Sequence, residues 1–550
     1  MTEITSQNPI TYFCAEYGIQ ANLPLYAGGL GILAGDTIKA AADANLPFVG
    51  VGLLYRGERS IQEINDDGMQ IEKDMDFDPV DAGLEHVYID DQPVFVRVHL
   101  TEIDIWARVW KKTFNDNVIL YLLDTDTDQN QTSERSITHA LYSGTAESIL
   151  KQQFILGIGG VKLLHILGIR PCVYHLNEGR PAFLYWQLIR SYMDEHGVDY
   201  FKAKEVMKDK IVYTNHTLVV AGNNSVEISL LSRYAGYYAQ KMNISLEQLL
   251  EDGKQQGNGH FLMTRFSLNI SKKANGVSSL HTTFCKRIWP EYNWVNITNG
   301  VHMPTWQDSE IASCDLAGDD LWHLHLKKKK ELADFVAEKA GFGYDENRLV
   351  ITWARRLAEY KRLKALFADI ERIRSIMRHS ERPVQLLIAG KAHILDTHGK
   401  IMLQEIIKFM AKELSGHAIF VPDYNLDVAA KLVKGSDLWV NIPEYGREAC
   451  GTSGMKAIAN GVLHCSTMDG WTPEIDWKDV GWTLQSEDVS NDFYKKMEDE
   501  IPPLYYKRDA NGVPKEWLEM MKKSIKVAEK YSAKRMLKGY QELLYKDADC

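Results

Sequence analysis

At 550 residues the chain is too long for one hydrophobic core, so two or three domains are expected. Its net charge of −11 argues against a general nucleic-acid-binding protein but leaves room for a local basic pocket. No run of about 18 apolar residues occurs, and the chain does not begin with a basic segment before an apolar one, so neither a membrane span nor a signal peptide is predicted. Seven scattered cysteines without a C-x-x-C pair indicate reduced thiols and a cytoplasmic protein.

The first half of the chain is predicted to be an α/β domain. A strand, a glycine-rich loop, a helix and a second strand are predicted in turn at residues 10–15, 26–31, 32–44 and 48–52. Adjacent glycines in the loop, Gly28 and Gly29, let a ligand approach the backbone closely. The strand-rich stretch from about 57 to 123 is interpreted as an antiparallel insertion on this domain.

Two later strands of this half end in polar clusters. Residues 172–177 lead into Glu178, and residues 211–215 lead into His216. Because ligands bind beyond the carboxyl ends of strands in open parallel sheets, both clusters are expected to face one cleft.

The second half alternates nearly all-apolar strands with single helices, which indicates a parallel, doubly wound sheet. The strands are predicted at 348–354, 384–389, 419–422, 438–442 and 462–466, and the helices at about 363–380, 398–414 and 427–434. The turn at Asn299-Gly300 and the following Pro304 place the domain boundary near residue 300. A charged helix over 319–340 carries four consecutive lysines, which are predicted to form a solvated face.

The stretch from Glu448 to Gly461 carries Lys456 directly after a glycine- and hydroxyl-rich turn. Such a turn, when it opens a helix, points backbone N–H groups at an anion, and the lysine could reach that anion or attach covalently to its carrier. The alternative is a tight strand-to-helix turn with a solvated lysine.

Six segments in order now identify a family. They are YAGGLG at 26–31, HLNEGRP at 175–181, YTNHT at 213–217, ITNGV at 297–301, RRLAEYKR at 355–362 and EACGTSGMK at 448–456. Together they resemble the α-glucan (glycogen, starch, maltodextrin) phosphorylases, which use pyridoxal 5′-phosphate (PLP). The resemblance extends from residue 12 to about residue 471.

The resemblance implies a fold of two Rossmann-like doubly wound domains that face each other across a cleft, the GT-B glycosyltransferase type. Residues 1–300 would form the glucan-binding catalytic domain, and residues 301–550 the PLP-binding domain with a helical C-terminal end. It implies PLP-dependent phosphorolysis of α-1,4-glucans, which releases α-D-glucose 1-phosphate with retention. The expected partners are the glucan and inorganic phosphate, without nucleic acid or membrane, and a homodimer is an open option.

The resemblance also assigns residues to roles, because two adjacent anions, substrate phosphate and cofactor phosphate, need cations and N–H donors around them. The catalytic set is His216, Arg356, Lys361 and Lys456, the last being the covalent anchor. Cofactor contacts are expected from Lys456, Thr452, Ser453, Gly29, Trp306, Tyr424 and Arg355. Substrate contacts are expected from Gly28, Leu30, Glu16, Asn177, Glu178, Asn299, Glu448 and Gly451. No metal site is predicted.

Three positions depart from the family pattern. Asn425 stands where long members often have an arginine, Arg180 where they have a histidine, and Ser453-Gly454 where they have Gly-Asn. The chain is also expected to be a short, constitutive form without the N-terminal regulatory region. The alternatives are a nucleotide-sugar-dependent glucan synthase of the same fold and a non-catalytic glucan-binding protein.

Overall fold

The computed structural model describes residues 4–57, 60–101, 103–142, 144–218, 225–255, 257 and 259–546. Contacts divide the chain into two compact units. Unit 1 comprises Met1–Glu58, Met75–Thr298 and Met536–Cys550, and unit 2 comprises Arg59–Asp74 and Asn299–Arg535. The sequence predicts one domain boundary near residue 300. In the structure, residues 59–74 belong to unit 2 and residues 536–550 to unit 1, so the chain passes between the units more than once.

Unit 1 is built on a mixed sheet, which has ten strands within the described residues. Its order is Trp294–Asn296, Lys273–Gly276, Ile211–Thr214, Val173–Asn177, Ile10–Phe13, Phe48–Leu53, Val118–Asp124, Ile103–Asn115 and Glu85–His86, with Phe95–Leu100 also paired to Ile103–Asn115. The first seven strands run parallel and the other three pair antiparallel. The predicted antiparallel insertion therefore stops before Val118–Asp124, whose apolar run suits a central parallel strand.

Helices and short hairpins complete unit 1. The helices are Gly29–Asp43, Thr132–Arg135, Ala146–Phe154, Gly160–Ile166, Leu184–His196, Tyr200–Lys208, Ile228–Lys241, Leu246–Leu250, Met263–Asn269 and Ser279–Ile288, with a 3-10 turn at Ser136–Thr138 and π-helical turns at Ile155–Gly159 and Tyr540–Tyr545. The hairpins pair Tyr88–Ile89 with Gln92–Pro93 and Ser225–Glu227 with His260–Leu262.

Unit 2 is built on a parallel sheet of six strands, again within the described residues. Its order is Ala418–Val421, Val384–Ala389, Leu349–Ala354, Leu438–Asn441, Leu463–Thr467 and Gly481–Leu484. Numbered along the chain, this order reads 3-2-1-4-5-6, so the connections reverse direction between Leu349–Ala354 and Leu438–Asn441. The prediction of an α/β protein with parallel strands is confirmed.

Helices cover this second sheet, and a hairpin is attached to it. The helices are Met303–Trp306, Ser309–Ala312, Asp320–Ala340, Ile370–Met377, Thr397–Glu413, Leu426–Gly435, Ser453–Ile458, Val489–Asp499, Ile501–Tyr506 and Lys515–Ala528. A last helix, Ala533–Gly539, begins in unit 2 and ends in unit 1. The 3-10 turns are Glu359–Lys361, Leu363–Phe367, Thr472–Glu474 and Glu529–Tyr531. The hairpin pairs Ile61–Ile64 with Gln70–Lys73.

The predicted solvated face of four lysines is wrong for two of them. Lys329 is fully buried, where its ammonium group contacts Asp437 and donates to the Tyr505 hydroxyl, and Lys328 is also buried. Asp437 also accepts hydrogen bonds from His325 and from the backbone N–H of Val350. A buried lysine needs such partners, because an uncompensated charge in the core costs far more than a solvated one.

The expectation of reduced thiols holds for Cys14, Cys285, Cys314, Cys450 and Cys465, which are free. Within the described residues, no helix has both the length and the apolar character that crossing a membrane requires.

Candidate active site

In unit 2 the predicted site residues gather where the connections of the sheet reverse. Arg355 directly follows strand Leu349–Ala354, and Glu448 lies in the loop after the neighbouring strand Leu438–Asn441. Lys361 ends the 3-10 turn that follows Arg355 in the chain. The carboxyl ends of two adjacent parallel strands thus bring three charged side chains together, as is usual for ligand sites of such sheets.

The three charges make one buried cluster. Glu448 Oε2 accepts from Arg355 Nη2 at 2.9 Å and from Lys361 Nζ at 2.6 Å. Burial disfavours the charge on Glu448, but Lys361 and Arg355 outweigh it and lower the pKa of the carboxyl to about 2. Burial and the neighbouring Arg355 lower the pKa of Lys361 to about 7, even though Glu448 opposes this. Two cations therefore face one carboxylate, and the cluster favours a further anion.

Arg355 also has donors to spare. Its Nε and Nη1 are buried and have no hydrogen-bond partner in the part of the chain that the structure describes. A buried donor without a partner is costly, so these two positions suit an acceptor-rich, negatively charged ligand. Arg356, the arginine predicted to be catalytic, is exposed, and its side chain hydrogen-bonds Tyr360.

Lys456 is buried with Trp306 close by. Lys456 is 7% exposed, and its Nζ lies 3.5 Å from the centroid of the Trp306 ring. Asn460 Nδ2 donates to the carbonyl oxygens of both residues at 2.9 Å, which holds the two segments together. The alternative of a solvated lysine at this turn is therefore wrong.

A polar cluster lies beneath the turn that carries Lys456. Ser453 Oγ accepts from Trp439 Nε1 at 3.2 Å and from Asn441 Nδ2 at 3.4 Å. Asn441 Nδ2 also donates to His464 Nε2 at 2.9 Å, so the proton of the neutral imidazole is on Nδ1. That Nδ1 is buried without a partner among the described residues, and burial lowers the pKa of His464 to about 3.

Gly454 is required by the same histidine. A Cβ on this glycine would lie 2.6 Å from His464 Cε1, closer than any ordinary contact. The departure from the family pattern at Ser453-Gly454 thus has a local cause, because the serine accepts two hydrogen bonds and the glycine leaves space for the ring. Thr452, at the N-cap of helix Ser453–Ile458, makes no side-chain capping bond.

Tyr424 and Asn425 follow strand Ala418–Val421. The Tyr424 hydroxyl donates to the Ala354 carbonyl at 3.4 Å, and burial raises its pKa to about 12. Asn425 caps helix Leu426–Gly435, because its Oδ1 accepts from the backbone N–H groups of Asp427 and Val428. The residue that replaces an arginine of long family members therefore has a capping role here.

Asn299 and Gly451 complete the predicted set in unit 2. Asn299 is buried, its Oδ1 has no partner within the described residues, and its carbonyl accepts from Arg535 Nη2 at 3.0 Å. Gly451 has a φ of +81°, and a Cβ there would lie 3.1 Å from Glu448 Cγ. Only glycine adopts this backbone without strain so close to Glu448.

In unit 1 the ends of two neighbouring strands meet at His216. His216 Nε2 donates to Asn177 Oδ1 at 2.6 Å, and burial lowers the pKa of the imidazole to about 3. The backbone N–H of His216 donates to Glu178 Oε1 at 2.6 Å. Burial raises the pKa of Glu178, although this N–H group opposes the shift. Glu178, predicted to contact substrate, is thus engaged in fixing the His216 backbone.

Glu16 holds the glycine loop of the same unit. Its Oε2 accepts from the backbone N–H groups of Ala27 at 2.8 Å and Gly28 at 3.1 Å, and its Oε1 accepts from the Tyr142 hydroxyl. Glu16 is buried, so this predicted substrate residue acts on the loop that precedes helix Gly29–Asp43.

The loop itself is open. Apart from adjacent residues of the chain and the backbone of the helix that begins at Gly29, no heavy atom of the described residues lies within 4 Å of a Cβ built on Gly28 or Gly29, and Leu30 is half-buried. This space suits the close approach of a ligand, as the adjacent glycines predict. The Arg180 guanidinium, at a position that departs from the family, stacks on the Tyr142 ring at 4.2 Å.

Each unit thus brings its own predicted residues together, and sequence reasoning missed several that support them. Tyr142 and His464 gave no signal, because single aromatic residues in unremarkable stretches do not show what they pack against. Asp469, which binds the backbone of the loop before Glu448, could have been noticed in the polar Met468-Asp469-Gly470 segment after a predicted strand. Within the described residues, no group of three or more potential ligands could hold a metal ion.

Comparison with known proteins identifies the family to which the chain belongs. A family model described as carbohydrate phosphorylase matches residues 165–317 and 309–483. The chain is 35% identical to the maltodextrin phosphorylase of Thermococcus litoralis, over 98% of this chain and 71% of that protein. It is 32% identical to the glycogen phosphorylase of Aquifex aeolicus, over 99% of this chain and 87% of that protein. An uncharacterised protein of Methanocaldococcus jannaschii is 31% identical over 98% of this chain and 100% of its own length. The family resemblance that the six motifs indicate is confirmed.

Proposed function

The chain belongs to the carbohydrate phosphorylase family, and from this premise we propose that it cleaves α-1,4-glucans with inorganic phosphate and releases α-D-glucose 1-phosphate. The relatives are named maltodextrin phosphorylase and glycogen phosphorylase, which supports a glycosyltransferase acting on glycogen, starch or maltodextrins. We also propose that the reaction retains the configuration at the anomeric carbon and requires PLP.

PLP fits the residues at the Lys456 turn. Lys456 is buried beside the Trp306 ring and directly follows the glycine- and hydroxyl-rich turn, a position that suits a lysine that anchors a cofactor covalently. The unpartnered donors of Arg355 offer hydrogen bonds to a phosphate group. Arg355, rather than the arginine of long members at position 425, would then supply the cation. When bound, PLP contributes a second phosphate that exchanges a proton with the substrate phosphate.

The chain's own residues supply charge and proton control. Lys361, with a pKa of about 7, is protonated below neutral pH and then presents an ammonium group to phosphate. Glu448 stays ionised at neutral pH and accepts hydrogen bonds, as recognition of sugar hydroxyls requires. His216 stays neutral, and its backbone is fixed by Glu178, so that its carbonyl is available to positive charge that develops on the sugar.

For the two units we propose the GT-B arrangement, in which two Rossmann-like domains face across a cleft. The 3-2-1-4-5-6 strand order of unit 2 supports it, since this is the doubly wound order of dinucleotide-binding sheets. The roles predicted for Gly28, Leu30, Asn177 and Asn299 in binding the glucan or phosphate are part of the same proposal. A cytoplasmic location and a homodimer stay predictions.

One observation carries the proposal: Arg355 and Lys361 share the single Glu448 carboxylate, so the buried cluster has one cation in excess and unused donors. Phosphate satisfies that excess. A nucleotide-sugar-dependent glucan synthase is the second candidate, because such enzymes share the proposed GT-B fold. A synthase, however, does not need a buried lysine beside an aromatic ring.

A purified preparation distinguishes the candidates. We expect PLP to copurify with the wild-type chain and maltodextrin plus phosphate to yield glucose 1-phosphate, whereas the Lys456→Ala variant should lose both properties. Glucan extension from ADP- or UDP-glucose without PLP would instead identify a synthase. PLP binding without turnover in either direction would favour the glucan-binding protein, and absence of PLP from the wild type would refute the proposal.

A further inference from the structure

The loop that carries Glu448 is held by one carboxylate. Asp469 lies just beyond strand Leu463–Thr467, the sheet neighbour of Leu438–Asn441. Its Oδ1 accepts from Gly446 N at 3.1 Å, and its Oδ2 accepts from Arg447 N at 3.2 Å and Glu448 N at 2.8 Å. Three consecutive N–H groups therefore converge on one side chain.

Asp469 is itself buried and fixed. It is 3% exposed, and its backbone N–H donates to Thr472 Oγ1 at 3.0 Å and to the Thr467 carbonyl at 3.0 Å. The bound loop belongs to no helix or strand, so its N–H groups have no ladder to join. An ionised carboxylate gives stronger hydrogen bonds to such groups than a neutral acceptor does.

These contacts form a continuous path to the charged cluster. The residue that Asp469 binds most closely is Glu448, whose Oε2 accepts from Arg355 and Lys361. Lengthening the Asp469 contacts would let the Glu448 backbone move and would carry its carboxylate away from both cations. Such a movement would lower the rate of the reaction, since a displacement of about 1 Å can reduce turnover by about 10²-fold.

We propose that Asp469 is a positioning residue, which holds the Glu448 carboxylate against Arg355 and Lys361 through the N–H groups of the loop. It contacts no reacting group itself. The inference rests on the proposed phosphorolysis, but its geometry concerns only residues of unit 2.

A double-mutant cycle separates this role from a general role in folding. We expect Asp469→Asn to lower kcat/KM for maltodextrin by about 10- to 100-fold, with a raised KM for the glucan. In a Glu448→Gln background the same change should cost less than about 3-fold, because the group to be positioned is already gone. An equal loss in both backgrounds would overturn the proposal. Asp476→Asn, an exposed aspartate nearby, is the matched control and should leave activity unchanged.

A second measurement does not depend on turnover. The reactivity of Lys361 toward an amine-modifying reagent, followed by peptide mass spectrometry, reports its protonation. The charged groups facing Lys361 are Arg355, Arg356 and Glu448, and its ammonium also lies over the Tyr360 ring. In the wild type the midpoint should lie near pH 7, and in Asp469→Asn it should shift lower, because the carboxylate that raises the pKa moves away.

An unchanged midpoint in Asp469→Asn would overturn the positioning role even if activity fell. If the wild type releases no glucose 1-phosphate, the proposed function fails, and the Lys361 midpoint still decides whether Asp469 positions Glu448. Should Asp469→Asn fail to fold by circular dichroism, Asp469→Glu replaces it in both measurements. This variant keeps the charge, but its extra methylene displaces the carboxylate from the position that meets all three N–H groups. A smaller shift of the Lys361 midpoint in the same direction is therefore expected, and an unchanged midpoint would overturn the proposal.

Discussion

The contact between Gly454 and His464 makes a quantitative prediction about the turn that carries Lys456. In a Gly454→Ala variant the new Cβ would lie 2.6 Å from His464 Cε1 and 2.8 Å from Nε2, whereas ordinary carbon contacts are about 3.5–4.0 Å. The ring cannot easily yield, because it accepts a hydrogen bond from Asn441 at 2.9 Å and stacks on Trp471 with an interplanar angle of 12°. The helix at Ser453–Ile458 must therefore shift.

Overpacking of this kind costs about 1–3 kcal/mol. If PLP binds as proposed, it requires Lys456 in its original position, whereas the turn of the apo-protein can move to relieve the strain. The strain should therefore appear as lost cofactor affinity. At about 1.4 kcal/mol for each factor of ten, the dissociation constant of PLP should rise by about 5- to 150-fold. The assay is spectrophotometric titration of the apo-protein with PLP.

Two variants control this experiment. Gly318→Ala places a Cβ in open space in the same unit and should leave PLP affinity unchanged. Gly454→Ala combined with His464→Ala removes the ring that the new methyl group meets and should bind PLP more tightly than Gly454→Ala alone. If Gly454→Ala bound PLP as Gly318→Ala does, the argument from His464 would be refuted.

Three further predictions follow from individual side chains. The affinity for phosphate should fall as pH rises through about 7, where Lys361 loses its proton, and Lys361→Arg should keep the affinity to higher pH in initial-rate profiles; identical profiles would contradict the role of Lys361. Asn425→Ala should lower the free energy of unfolding by about 1 kcal/mol in chemical denaturation, whereas Asn425→Ser, which retains a cap, should not; equal losses would count against the cap. Lys329→Met should lower the free energy of unfolding by about 3–5 kcal/mol, because it leaves Asp437 buried with one partner fewer. Lys330→Met, at an exposed position, should change it little, and equal losses in the two variants would contradict a stabilising role of the buried ion pair.

The alternation of strands and helices could be predicted from the sequence because it depends on local composition. Nearly all-apolar segments separated by single amphipathic helices predict parallel sheets, and both sheets contain them. The strand at 118–124 was misassigned to the antiparallel insertion, since a continuous apolar run does not state the direction of its partners.

The charged residues were harder to place than the strands. The motif around 355–362 predicts a phosphate-binding cluster but does not say which of two adjacent arginines is buried, and the structure buries Arg355. Likewise a run of four lysines on a helix suggests a solvated face, yet the helical repeat turns Lys329 toward Asp437, a partner 108 positions away. Long-range partners of this kind decide burial, and no local pattern encodes them.

The structure also shows contacts of two acidic residues that the sequence did not predict. Glu16 and Glu178 stand near strand ends, and the family resemblance predicts that both contact substrate, which stays a prediction. The structure shows both accepting backbone N–H groups of the segments that carry Gly28 and His216. A carboxylate at a strand end can serve the loop as well as the ligand, and the sequence does not distinguish the two uses.

The attachment point of PLP tests the central claim most directly. Borohydride reduction of the PLP-loaded wild-type protein, followed by peptide mass spectrometry, fixes the cofactor to the lysine that holds it. The account predicts a pyridoxyl group on Lys456, in a protein that releases glucose 1-phosphate from maltodextrin and phosphate. A label on another lysine, or on none while glucose 1-phosphate is released, would contradict it.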